Sequence, residues 1–242
     1  MDEDAVDVAD AADETIQWRR DASTSRTVRL LWTFGVGTFF AAILAIVCWR
    51  LYRLAGEAAG GAGRTVVVAL IAAVAATVLA IAASSRPERH LERLPVDVPS
   101  GRRLDRAVDA AVGTVVMGAL IGLLLGVGRY VSQNELLAVG ASPFTFTVAA
   151  AVPLALVALV LASFLQSVGA LDPEEGTIYL YEPEQAIDLA VIEEVSVRRL
   201  GDAAVLSLTY AQPDGQYVQG PRRIVVPPAV ARDVAALVGS AN

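Results

Sequence analysis

Thr65–Ser84 reads TVVVALIAAVAATVLAIAAS, twenty residues without a charge and with only three hydroxyls. A helix rises about 1.5 Å per residue, so a run of about 20 apolar residues matches the roughly 30 Å hydrocarbon core of a bilayer. Within it Ala69, Ala72, Ala73, Ala76, Ala80 and Ala83 place small side chains at near-helical spacing. Such a face lets a second helix approach closely, which matters in lipid, where apolar side chains gain nothing by leaving the solvent.

Outward from this stretch lie three more of the same kind. Leu30–Trp49 precedes it, with Trp32 at one end and Trp49 and Tyr52 at the other, where amphipathic rings suit the two membrane interfaces. Ala107–Val127 follows and carries Gly118, Gly122 and Gly126 at intervals of four, two overlapping GxxxG motifs on one face. We expect this face to pack against another helix of the chain, with self-association into a homo-oligomer as its alternative use. Phe144–Val168 is the last, and Pro153 inside it is tolerable in a membrane helix and expected to kink it. The expectation is four transmembrane helices, over about 30–49, 65–84, 107–127 and 144–168.

The rest of the composition fits a membrane protein with acidic ends. Apolar residues make up 55% of the 242, and all 19 basic residues are Arg against 26 acids, a net charge of −7. Residues 1–29 hold eight acids and four Arg, residues 171–242 eleven acids and five Arg, and the part between seven acids and ten Arg. Acidic ends, absent Lys and abundant Ala, Val and Gly resemble the proteins of extremely salt-loving archaea, in which a high charge preserves solubility. In molar salt the Debye length is about 3 Å, so long-range attraction supplies little binding energy there. Cys48 is the single cysteine and cannot form an internal disulfide.

Met1–Arg29 shows no apolar periodicity and reads as a disordered acidic tail. It does not read as a signal peptide, because it lacks a basic start and an early apolar run. Orientation follows from Arg in the short flanks. The N-terminal flank has four and the loop between the second and third spans six, against three and one in the other two loops. Ten against four places both termini and the central loop in the cytoplasm of a multi-pass cell-membrane protein.

From Gly176 the period changes to two. Ile178 and Leu180 alternate with Thr177, Tyr179 and Tyr181; Val195 and Val197 alternate with Glu194 and Ser196; Leu206, Leu208 and Tyr210 alternate with Val205, Ser207 and Thr209. Gly201-Asp202 is a hairpin signal, Pro213-Asp214-Gly215 a turn, and Arg222–Val226 a further strand. Pro227-Pro228 then opens a helix whose Val230, Val234, Leu237 and Val238 share one face. The expected domain, residues 171–242, is a small antiparallel β domain closed by a C-terminal helix.

The run Ala186-Ile187-Asp188-Leu189, then Ile192-Glu193-Glu194-Val195-Ser196-Val197, a hairpin, another strand and a helix after Val226-Pro227-Pro228 resembles the later part of bacterial-type pleckstrin-homology-like (PH-like) domains. That resemblance covers about 60 residues and implies seven strands, of which about five are visible by pattern. Some relatives of that fold bind phospholipid headgroups through a basic loop. Here Arg198-Arg199 and Arg222-Arg223 are the only basic pairs of the domain and read as strand-end charges balanced by Glu193, Glu194 and Asp202. Protein contact is therefore expected before lipid-headgroup recognition.

Candidate chemistry is sparse. His90 has no second His or Cys at ligand spacing, so no metal site is expected, and no nucleophile–base motif points to catalysis or to a cofactor. Inside the spans the costly groups are Asp105, Asp109, Gln166 and Thr77. Asp109 lies one turn after Asp105 beside Arg102, Arg103 and Arg106, and is the candidate for either a transport role or a paired charge at the interface. Two functions follow: a non-enzymatic, membrane-anchored module whose β domain recruits or assembles with a protein partner, or a small-solute transporter or channel subunit with a regulatory domain. The bilayer is the other expected partner; nucleic acid is not.

Overall fold

The computed structural model describes residues 15–84, 101–211 and 220–241. The chain divides into a helical unit, residues 30–161, and a β unit built from chain on both sides of it, up to Arg29 and from Ala162 onward.

Three helices carry the apolar stretches: α1 (Arg26–Ala83), α2 (Arg102–Gln133) and α3 (Ser142–Phe164). Each is long and apolar enough to cross a membrane. Large apolar side chains stand open along them, such as Ile46 at 72% and Phe146 at 75% exposure, which a water-soluble bundle would bury. The first two expected spans thus fall within one element, and α1 is not straight. Ala59 (φ −136°, ψ 18°) and Gly60 (φ 57°, ψ −135°) leave helical geometry, and the left-handed φ suits the glycine. Beyond them the chain doubles back: the Arg64 guanidinium lies 5.5 Å from the Tyr52 ring centre, where twelve residues of straight helix would hold them about 18 Å apart.

In the helical unit Ala41, Met117 and Ile121 form a small buried cluster with Phe34, Ala45 and Val148 against it. The backbones of α1 and α2 meet at Gly37 and Gly113, where a Cβ on Gly37 would come within 2.8 Å of Gly113 Cα. A Cβ on Gly35 would come within 2.9 Å of the Ala155 carbonyl oxygen on α3. The ridge expected to pack is a different one. Gly118 has only the Ala41 methyl at 4.0 Å, and Gly122 and Gly126 have nothing within 4 Å of where a Cβ would stand. The buried row on α2 is Gly113, Met117, Ile121, Gly128 and Val131; Gly118 lies five residues, about 140°, round the helix from Gly113. The choice of face was made by the small residues Gly37 and Ala41 on the partner helix.

The β unit has, among the described residues, seven strands: β1 (Ile16–Arg20), β2 (Ser167–Asp172), β3 (Thr177–Tyr181), β4 (Glu184–Asp188), β5 (Ile192–Leu200), β6 (Ala203–Tyr210) and β7 (Arg223–Val226). They form two antiparallel sheets in the orders β1-β2-β3-β4 and β5-β6-β7, followed by α4 (Pro228–Ala241). Trp18, Leu171, Ile178, Leu206, Val226, Val230 and Val234 share one core. Asp188 caps the short 3-10 turn Leu189–Val191 by accepting from the Ala190 N–H, which carries the chain from the first sheet to the second.

Two expectations are corrected by this unit. Residues 16–29, read as part of a disordered tail, are ordered: β1 pairs with β2 from Ile16↔Leu171 to Arg20↔Ser167. Its apolar content is low, but Trp18 and Arg20 alternate inward, and Gly169 opposite leaves room for the indole, since a Cβ there would come within 2.6 Å of Trp18 Cζ2. The fourth apolar stretch also ends sooner than Val168: helix stops at Phe164, and Ser167 and Val168 belong to β2. The unit therefore holds residues on both sides of the helices rather than 171–242 alone. The Pro213-Asp214-Gly215 turn, His90 and residues 1–14 lie outside the described residues.

Candidate functional site

The most constrained polar cluster forms where the two chain segments of the β unit lead into and out of the helices. Five residues join β1 to α1 and two join α3 to β2. Arg20, at the end of β1, is 4% exposed. Its Nε donates to the Leu165 carbonyl (3.1 Å), just after α3. Its Nη1 donates to the Asp202 carbonyl (2.5 Å) and its Nη2 to Asp202 Oδ1 (2.8 Å), in the β5–β6 turn. One guanidinium thus holds three segments, the use for which its fixed fork of donors is suited.

The other carboxylate oxygen of Asp202 accepts from Ser25 Oγ at 2.8 Å, while Ser25 Oγ accepts from the Val28 N–H at 3.2 Å and so caps α1. Thr27 adds a further hydrogen bond to Asp202. Partial burial works against the charge on Asp202, but the hydrogen bonds from Arg20, Thr27 and Ser25 outweigh it and hold the carboxyl well below the usual carboxylate range. Gly201, at φ +61°, lets the hairpin turn tightly enough to deliver Asp202 there.

The β1–α1 connection is itself tied down. Asp21, 6% exposed, accepts from the Ser23 N–H (2.8 Å) and Ser23 Oγ (2.5 Å). Thr24 Oγ1 donates to the Arg19 carbonyl (2.9 Å) and accepts from the Asp21 N–H (3.0 Å). Such local side-chain bonds replace chain freedom with a fixed turn.

Sequence reading singled out Gly118, Gly122, Gly126 and Asp109, and none of them belongs to this cluster. Asp109 is half-buried in α2 and has a bonding partner, so it is not an isolated charge. Thr77, Thr114 and Thr147 donate their hydroxyls to the carbonyls four residues back at 2.8, 2.7 and 2.8 Å. Thr38 differs: it is wholly buried and its hydroxyl has no partner among the described residues. Gln166 lies exposed between α3 and β2. Asp202, read as a counter-charge to Arg198-Arg199, instead pairs with Arg20.

Arg20, Ser25 and Asp202 escaped the sequence reading. Two signals were present: the Ile16, Trp18, Arg20 alternation, and a Ser placed just before a long apolar helix. No group of three or more His, Cys, Asp or Glu suited to a metal ion occurs among the described residues. No protein-family model matches the chain, and neither a curated protein nor a solved structure matches it.

Proposed function

We propose that the chain crosses the bilayer four times and carries, on the cytoplasmic side, one PH-like β unit that recruits or assembles with a protein partner, with no reaction of its own. The observation that carries this reading is the pairing of β1 with β2 around the helical unit. Two strands in one sheet lie on one side of a membrane, so the chain between Arg20 and Ser167 crosses an even number of times. Three crossings do not satisfy that condition and four do. The reversal at Ala59–Gly60 supplies the extra turn, and 58 residues of straight helix, roughly 87 Å, would far exceed a bilayer. The excess of Arg in the N-terminal flank and central loop favours the cytoplasmic side for the β unit.

Four strands, then three, then a C-terminal helix supply the seven strands that the PH-like resemblance implies, with the membrane helices inserted after the first. A recruiting role is supported by β5, nine residues long and, among the described residues, at the edge of its sheet and paired only with β6. From Glu194 to Leu200 its other edge has no strand beside it among the described residues, the template for strand addition by a partner. The hydroxyls of Thr77, Thr114 and Thr147 are spent on their own helices, which favours this reading over solute transport.

The test uses the full-length chain in native membranes with a photo-crosslinking residue at Ser196 in β5 and, as a control, at Glu175. A discrete protein adduct at Ser196, absent at Glu175, is expected. Absence of that adduct, together with solute flux in vesicles that falls on Asp109→Asn, would replace this reading with the transport one.

A further inference from the structure

We propose that the β5–β6 hairpin tip, Arg198–Asp202, is a membrane-interface anchor that seats Leu200 among lipid headgroups and pairs Arg198 and Arg199 with lipid phosphates. The inference rests on α1 entering a bilayer. Its starting point is the depth of the tip. A Cβ on Gly201 would stand 3.2 Å from Thr27 Oγ1, and Asp202 is bonded to Ser25 and Arg20, so the tip is fixed beside the first turn of α1. Thr27 is three residues, about 4.5 Å of helix, before Leu30, where the apolar run begins. The polar layer on each side of the hydrocarbon is only about 5–8 Å thick. A residue level with Thr27 is therefore within that layer.

The side chains at the tip suit such a place. Leu200 is 51% exposed with nothing of the β unit covering that half, an arrangement that costs free energy in water and little at an acyl boundary. By strand register Leu200 and Arg198 share one face of the hairpin, opposite Ala203 and Val205, while Arg199 projects from the other, opposite Ala204. Each face of the tip thus carries one exposed Arg, and among the described residues neither has an acidic partner. Arg26 is exposed on the first turn of α1, and Arg19, its side chain 53% exposed, lies 3.8 Å from the Asp21 carboxylate. The acids at this end, Asp21 and Asp202, are occupied by bonds within the unit.

Charge is polarised along the strands. Asp172, Glu174, Glu175, Asp188, Glu193 and Glu194 lie at the ends of the ladders away from Arg20 and Asp202. Glu182 and Glu184 are at the near end, but on the β3–β4 turn at the far edge of the first sheet. A unit whose net charge opposes adhesion to an anionic leaflet can so present its basic end to one.

The experiment is a depth measurement by spin-label power saturation, with the full chain in nanodiscs of phosphatidylcholine and phosphatidylglycerol. Cys48→Ser removes the native thiol, and Leu200→Cys, Ile46→Cys or Glu175→Cys each receives one nitroxide. The expected result puts the label at 200 in the headgroup layer, at 46 in hydrocarbon and at 175 in water. Because the tip is held to α1, phosphate pairing is read separately, as 13C–31P dipolar dephasing of the 13C-labelled Arg guanidinium carbons in the same lipid; a contact to lipid phosphate is expected, and Arg198→Gln with Arg199→Gln should remove it. A label at 200 as wet as that at 175, with 46 in hydrocarbon, overturns the anchor and leaves the spanning reading standing. A wet label at 46 overturns the spanning reading and the anchor with it. Dephasing that is absent, or unchanged in the Gln variant, overturns the phosphate pairing.

Discussion

The β unit gathers Arg20 and Asp202, 182 positions apart, into one hydrogen-bonded cluster, whereas the helical unit makes a close approach at Gly37 and Gly113 and leaves Gly122 and Gly126 in the open. In the β unit, large side chains leave water and directional bonds fix where each segment ends. In lipid an exposed Leu loses little, so helices associate where glycines let backbones touch. The same residue type is thus decisive at one place and idle at another, and only the neighbour tells which.

The sharpest way to break this contrast is Trp18→Ala. The indole is nearly wholly buried in the shared core, so the change should cost about 3–5 kcal/mol. Hydrogen exchange on the full chain in detergent should show β2 and β3 losing protection while α2 keeps its own. Loss of protection in both units would mean that they do not fold separately.

Next comes Arg20→Met, which strips donors from the Leu165 carbonyl and from Asp202. Because the Asp202 side chain is 37% exposed and stays partly hydrated, the cost is that of stranded acceptors, about 1–3 kcal/mol. A pH titration sharpens the point. Folding favours the charged form of Asp202, so its contribution is complete above the unfolded carboxylate value near pH 4 and is lost as pH falls below it toward the lower folded value. Denaturant unfolding of the full chain from pH 7 to 3 should show that acid loss, and Asp202→Asn should flatten it.

Within the helical unit, Gly113→Leu must displace the Thr33 and Gly37 backbones and should cost about 1–3 kcal/mol. Gly122→Leu meets open space and should stay within about 0.5 kcal/mol. Thermal unfolding in detergent separates the two, and equal effects would erase the distinction between the glycine rows. The smallest change expected is Thr38→Val, which removes a buried hydroxyl without a partner and should stabilise by about 1 kcal/mol, read from the same melting curves.

Much of the architecture was legible because it is local. Apolar length marked the membrane helices, and period-two alternation with Gly201-Asp202 marked β3, β5, β6 and the hairpin between the last two. The C-terminal helix was announced by Pro228 and its valines. What escaped depends on partners far along the chain. Five residues of β1 carry two apolar side chains, an alternation too short to decide for a strand alone, and become one because β2 lies opposite. Val168-Gly169-Ala170-Leu171 continues an apolar helix in composition, and only pairing on both edges makes it a strand. The Arg20–Asp202 cluster was hidden for the same reason, since a basic flank and a turn aspartate each have an ordinary local explanation.

Placing β1 before the helices and β2 after them also sets an order of events during synthesis. At roughly 5–20 residues per second, β1 leaves the ribosome on the order of 10–30 s before its partner strand exists. On the four-crossing proposal every span in between would be threaded during that wait, and an odd number of crossings would leave the two strands facing different compartments with no sheet to form. With the proposed even number of crossings, closure of the β unit would follow only correct threading, and a chain threaded an odd number of times would keep Trp18 and Arg20 away from β2 and exposed.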